Sequence, residues 1–267
     1  MVSFLASYAS FITVRMPMYH INHQAVYGQD TPELNQAVLM AIDDIQASAP
    51  DGGGYFMKSG ANPPASPIGI PLKLGDYRLI SPPRSSSYCS GASYAAFIGA
   101  LDTATVSCQS EISEDRLDAL RMQDQNGHLR EDMVKMWGCW NADGPGSYYA
   151  LSLFSKMGTR VDPLDARPGD FCNLDWRSGY GHSVVFLGWD TTPDGEMAMR
   201  FWSSQKSTNG LGDRTARLSE IKCFVFSRLT NPEDVLTFDP SKKVGRVSVD
   251  YDSANAVAAQ LKLSAGL

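Results

Sequence analysis

Apolar positions recur at helical spacing early in the chain. Leu34, Val38, Leu39, Ile42 and Ile45 share one face and predict a helix over "TPELNQAVLMAIDDIQAS". Thr31 can cap it, Pro32 suits its first turn, and Pro50 with Gly52–Gly54 stops it. Residues 58–87 are rich in Pro, Gly and Ser, which predicts a loop with at most one short strand near 76–80. The stretch "GASYAAFIGAL" (91–101) is small or apolar nearly all round, as a buried helix would be. A polar helical pattern follows over 113–137, starting at "SEDRL"; Gly144–Gly146 break it, and 147–157 resumes it.

Beyond residue 168 the period changes from helical to extended. Pro168-Gly169-Asp170 reads as a turn whose Asp170 accepts backbone N–H bonds, leading into a strand that buries Cys172. "HSVVFLGWD" (182–190) is a strong strand, "DTTPDGEM" a hairpin connection and "MAMRFWSSQ" (197–205) the return strand. "CFVFSRL" (223–229) is a further strand, and the last residues offer a short strand, "GRVSVDY", and an Ala-rich helix. Helices followed by a run of antiparallel strands predict an α+β fold. The expected organisation is a helical and irregular extension over 1–75, a main domain over 76–230 with a helical insert at 103–150, and a C-terminal extension over 231–267.

Composition narrows the class. A chain of 267 residues with 43% hydrophobic and 19% charged residues can build a real core. A net charge of −6 and the absence of any Lys/Arg run exclude a nucleic-acid footprint. No stretch approaches the roughly 20 apolar residues of a membrane span. The opening "MVSFLASYASFITVR" has an apolar centre of signal-peptide length without a basic flank, and reads as a buried segment. The five cysteines form no CxxC, so no zinc ribbon is implied, and their odd number leaves a free thiol. Cys108 and Cys223 are candidates for a disulfide in an oxidising compartment, and Cys139 reads as packed in the insert.

Cys89 stands where the polar turn "SSSY" meets the buried helix, with Ser90 and Gly91 next. A helix start is electropositive and favours a thiolate. A thiol nucleophile needs a base, and His182, opening its strand after Gly181, can supply one. The base needs a partner to fix its tautomer. On the return strand Phe201, Ser203 and Gln205 share one face by the period of two, so Gln205, or less favourably Ser203, is placed to accept from the imidazole.

These residues carry a family resemblance. "YCSGASYAAF" resembles the "DCSG" nucleophile motif of the NlpC-type cell-wall peptidases, which are papain-like, and "RPGDFCNLDWRSGYGHSVVFLGW" resembles their "PGDL…HVGIYLG" segment. "RFWSSQ" falls where the family keeps its third polar residue, and the related CHAP amidases share the layout. The resemblance covers about 75–230. Departures are Tyr88 in place of the aspartate, "ISPPRSS" in place of a Gly-rich stretch, a long Cys89–His182 interval, and no third histidine. It implies a papain-like fold in which a central antiparallel sheet packs on the Cys-bearing helix. It also implies a cysteine peptidase or amidase acting on peptidoglycan peptides or the muramoyl-peptide amide, without cofactor or metal. Cys89, His182 and Gln205 or Ser203 would be its catalytic residues, and a secreted or periplasmic location would suit it. Tyr77 falls near the family's site tyrosine; Tyr88, Ser90, Tyr180 and Trp202 complete the expected substrate contacts.

Two other readings stand beside it. A non-catalytic relative could bind a peptide or glycan in the same cleft, with Tyr77, Tyr88, Trp176, Tyr180 and Trp202 as its lining. His20 and His23 would share a helical face and could ligate a metal, but no carboxylate lies close in sequence and Pro17 opposes a long helix, so no metal is expected. His128 reads as a solvated loop residue.

Overall fold

The apolar run of residues 184–189 is continuous because its strand is buried on both faces. In the computed structural model, which describes residues 18–55, 70–80, 86–121, 137, 146–242 and 249–266, this strand is central to a seven-stranded sheet. The short helix α1 (His23–Tyr27) and the longer α2 (Glu33–Ser48) come first. A hairpin of β1 (Leu72–Leu74) and β2 (Tyr77–Ile80) follows, where one strand at most was expected. Next are α3 (Cys89–Ala104), α4 (Glu114–Leu120) and α5 (Gly146–Tyr148), the last continuing as a π-helix over Tyr149–Ser155.

The sheet comprises β3 (Gly158–Val161), β4 (Phe171–Trp176), β5 (Gly181–Thr191), β6 (Met197–Gln205), β7 (Gly210–Arg217) and β8 (Ile221–Leu229), with β9 (Asp252–Ser253) beside β8. Their order is β3-β8-β4-β5-β6-β7, every pair antiparallel. Helix α6 (Ala254–Ala265) closes the described chain. The α+β class is therefore as the pattern predicted.

Alternation along β5 sends Val185 and Leu187 toward α2 and α3, and Val184 and Phe186 to the opposite core with Phe224, Phe226 and α6. Helices thus cover both faces. The expected boundary near residue 75 divides nothing in the core: α2 packs along α3, so closely that a Cβ at Gly99 would lie 2.8 Å from that of Ala41. Thr31 does not cap α2; its hydroxyl donates to the Gly28 carbonyl, and Pro32 occupies the capping position.

The Pro168-Gly169-Asp170 turn is a structural knot. Gly169 has φ +90°, and a Cβ there would meet the Asn35 carbonyl at 2.6 Å. Asp170 accepts from the Arg167 amide at 2.8 Å, as expected, and also from Asn35 at 2.8 Å and from Arg228 through two bonds of 2.7 Å. It ties α2 and β8 to the start of β4. Among the described residues the cysteines are all free, so the expected Cys108–Cys223 pair is absent: Cys108 follows α3 and Cys223 lies on β8. Cys139, His128 and the first 17 residues lie outside the described residues, as does most of "GRVSVDY". Among the described residues no helix is long and apolar enough to cross a membrane.

Asp170→Ala leaves the Arg228 guanidinium without its buried carboxylate and should lower stability by about 3 kcal/mol in urea denaturation. A loss below about 1 kcal/mol would show that the knot does not hold the helices to the sheet.

Candidate active site

Cys89 is the first residue of α3 because the chain before it is extended, with Tyr88 at φ −143° and ψ 169°. Four serines set that start against the sheet. Ser87 donates to Ser204 on β6 at 2.7 Å, and one turn into α3 Ser93 meets Ser183 on β5 at 2.6 Å. The Trp137 indole donates to the same Ser93 hydroxyl at 2.8 Å. All four serines are buried, where an unpaired hydroxyl would be costly, so the helix start is held in register with the first residues of β5.

His182 is the second residue of β5, next to Ser183 and on the opposite face of the strand. Its ring packs edge-on to Phe201 at 5.8 Å and tilted to Trp176 at 5.9 Å. Its Nε2 lies 3.1 Å from Gln205 Oε1. An amide oxygen only accepts, so Nε2 carries the hydrogen and Nδ1 keeps a lone pair. Burial pushes the imidazole pKa down to about 4, the nearby Arg214 charge adds to this, and the Gln205 bond opposes it. His182 is therefore neutral near pH 7, with Nδ1 carrying the lone pair and burial disfavouring the imidazolium.

Cys89 is 7% exposed, and burial pushes its thiol pKa up. Backbone amides of Ser183, Ser90 and Cys89 oppose the rise without overcoming it. The expectation that the helix start would favour the thiolate is corrected here: desolvation outweighs the helix end. The resting pair is a neutral thiol and a neutral imidazole.

Both groups line one cavity of about 790 Å³, together with Ser90 and Gln205. It opens at the rim where β4, β5 and β6 end, and so collects residues from both faces of the sheet. No hydrogen bond links the Cys89 sulfur to the His182 ring among the described residues. Ser90 Oγ is buried and has no hydrogen-bond partner among the described residues, beside the sulfur. The mouth carries Trp176, with Arg214 stacked 4.8 Å from its ring centre, and Tyr180, which is 73% exposed.

Several expected site residues lie elsewhere. Trp202 faces α2 and donates to Gln46 at 2.9 Å in the core. Tyr88 is buried and does not line the cavity. Tyr77 is turned toward α4, its hydroxyl bonded to Asp118. Ser203 is fully buried and donates to the Ser183 carbonyl at 2.7 Å, so Gln205 alone of the two partners the imidazole. His20 and His23 do not line this cavity; both reach Asp213 on β7. The pattern did not single out Tyr55, Asn173, Asp175, Arg214 or Lys222, which do line it. Asn173 and Asp175 were within reach of the alternation along β4, whereas Arg214 lies on a strand that the pattern missed.

Comparison of the chain with protein-family models, with curated proteins and with solved structures finds no match.

Because the thiol pKa is raised, alkylation of Cys89 by iodoacetamide should accelerate continuously from about pH 6 to about pH 10, read by mass spectrometry of its peptide. A rate plateau already reached below about pH 7 would instead reveal a thiolate–imidazolium pair.

Proposed function

We propose that the protein is a papain-like cysteine amide hydrolase of the NlpC type, acting on peptidoglycan stem peptides or the muramoyl-peptide amide. The observation that carries this reading is the shared cavity: a cysteine at a helix start, and a neutral imidazole whose Nε2 is engaged by Gln205 and whose Nδ1 makes no hydrogen bond among the described residues.

Cys89 Sγ attacks the amide carbonyl and passes its proton to His182 Nδ1. Unliganded sites hold such pairs looser than the reacting distance, and substrate draws them together. The oxyanion is met by the Cys89 backbone N–H, which has no partner within the helix, and by the Ser90 hydroxyl. Collapse of the adduct breaks the C–N bond, and His182 gives its proton to the leaving amine. Water, deprotonated by His182, then hydrolyses the thioester and returns the free thiol. Gln205 keeps the ring in one tautomer throughout.

The mouth supports a peptide or glycan substrate. Trp176 and Tyr180 offer flat apolar faces, while Asp175, Lys222 and Arg214 present both signs of charge to a zwitterionic peptide. A second reading, a non-catalytic binder using the same cleft, is favoured by one observation: the thiol is held protonated and makes no hydrogen bond to the imidazole among the described residues.

Incubation with a muropeptide mixture, followed by mass spectrometry for new amine and carboxylate ends, should give products with the wild type and none with Cys89→Ala. Gln205→Ala should lower kcat by about 10²-fold with little change in KM. Equal product from wild type and Cys89→Ala would remove the cysteine from the chemistry, and binding without turnover by the wild type would favour the second reading.

A further inference from the structure

His20 and His23 do not share a helical face, since His20 precedes α1 and His23 begins it. The fold nevertheless stacks their rings, with centres 4.0 Å apart, and turns both Nε2 atoms to one carboxylate. His20 Nε2 lies 3.1 Å from Asp213 Oδ2, and His23 Nε2 lies 2.9 Å from Asp213 Oδ1. All three residues are buried, and one donor atom from each lies within 4.8 Å of the others. Asp213 comes from β7, 190 residues from His23 in the chain. Its backbone N–H donates to the Met18 carbonyl at 2.9 Å, so the strand and the segment that carries the histidines are pinned at the same point.

A second carboxylate stands behind the first group. Asp43 of α2 receives the His23 Nδ1 hydrogen at 2.6 Å, and its two oxygens also accept the backbone amides of His23 and Gln24, at 2.8 and 3.0 Å. With Asp43 on Nδ1 and Asp213 on Nε2, both ring nitrogens donate and His23 is an imidazolium in the metal-free protein; Asp43 holds the Nδ1 hydrogen, so that loss of the other proton directs the Nε2 lone pair toward Asp213. A carboxylate behind a ligating imidazole is the usual support of a metal-bound histidine.

We propose that His20, His23 and Asp213 form a binding site for one divalent transition metal, with Asp43 as the residue that orients His23. Two imidazole nitrogens and one carboxylate suit Zn²⁺ and its neighbours rather than Ca²⁺ or Mg²⁺, which prefer all-oxygen sites. Nitrogen–oxygen separations near 3 Å match the spacing of ligands around one small cation. Two carboxylates and one divalent cation sum to zero charge, which suits a buried cluster. Asp213 and Met18 also border a cavity of about 820 Å³, distinct from the one at Cys89, which brings solvent to the carboxylate's side of the cluster.

Binding moves the His20 ring proton from Nε2 to Nδ1. That breaks the 3.3 Å contact in which the Asn22 amide donates to Nδ1, and the Nε2–H bond to Asp213 gives way to the metal. Any proton on His23 Nε2 leaves to solvent, and the Nδ1 hydrogen stays with Asp43. The site is independent of the hydrolase reading and stands or falls alone.

The test uses the full chain, stripped with a chelator and titrated with Zn²⁺ alone or Co²⁺ alone. One equivalent should bind by calorimetry. Co²⁺ should give visible d–d bands without the near-ultraviolet thiolate band that a cysteine ligand would produce. Zn²⁺ at 100-fold excess over its Kd should raise the unfolding midpoint by about 5 °C or more. His20→Gln, which leaves the His23–Asp213–Asp43 contacts in place, should abolish tight binding. Asp43→Asn, which keeps every ligand, should weaken it about 10- to 100-fold. Absence of a 1:1 complex, binding unchanged in His20→Gln, or a thiolate band lost in Cys89→Ser would each overturn the proposal.

Discussion

The hydrogen bonds that seat the first turn of α3 on β5 and β6 decide where everything else at the site can be. Ser93 meets Ser183, and Ser87 meets Ser204. These contacts are small and polar, so they fix position along the strands more tightly than apolar packing would. A slip of one residue on β5 would exchange its two faces and carry His182 away from Gln205. The same docking buries the sulfur of Cys89 and sets its acidity. The cavity, the tautomer of the imidazole and the protonation of the thiol thus follow from a single seating.

The two faces of the sheet divide the labour. One face packs α2 and α3 and carries Asp213 with its histidines. The other packs α6 and the aromatic cluster that presses on His182. The strand ends at the rim are where the faces meet, and the candidate active site lies there. Its electrostatics favour neutrality: an imidazole with a pKa of about 4 and a thiol pushed upward rest as a neutral pair rather than a preformed ion pair. General-base activation fits such a pair better than standing thiolate attack.

Much of this was legible in the residues. β5 and β6 announced themselves through long apolar runs around a Pro-Gly hairpin, and strand period with hairpin geometry placed Gln205 or Ser203 beside His182. The buried character of α3 was plain from the absence of any polar face. β7, "GLGDRTAR", was hidden because five of its eight residues are glycine or charged; it is a strand only because β6 pairs with it along its length. With β7 missing, neither Arg214 at the cavity mouth nor Asp213 beside the histidines could be placed. Tyr77, Tyr88 and Trp202 misled for another reason. An aromatic ring suits a core as well as a cleft, and the direction each one takes depends on neighbours far off in sequence. Ser203 and Gln205 share a strand face, and only the bond from Ser203 to the Ser183 carbonyl separates their roles.

The most direct measurement is capture of the covalent intermediate. Wild-type protein mixed with muropeptide, quenched in acid within the first turnover and digested, should yield one acylated peptide, the one containing Cys89. Released product with that peptide unmodified, or acyl groups carried by another residue, would contradict the account.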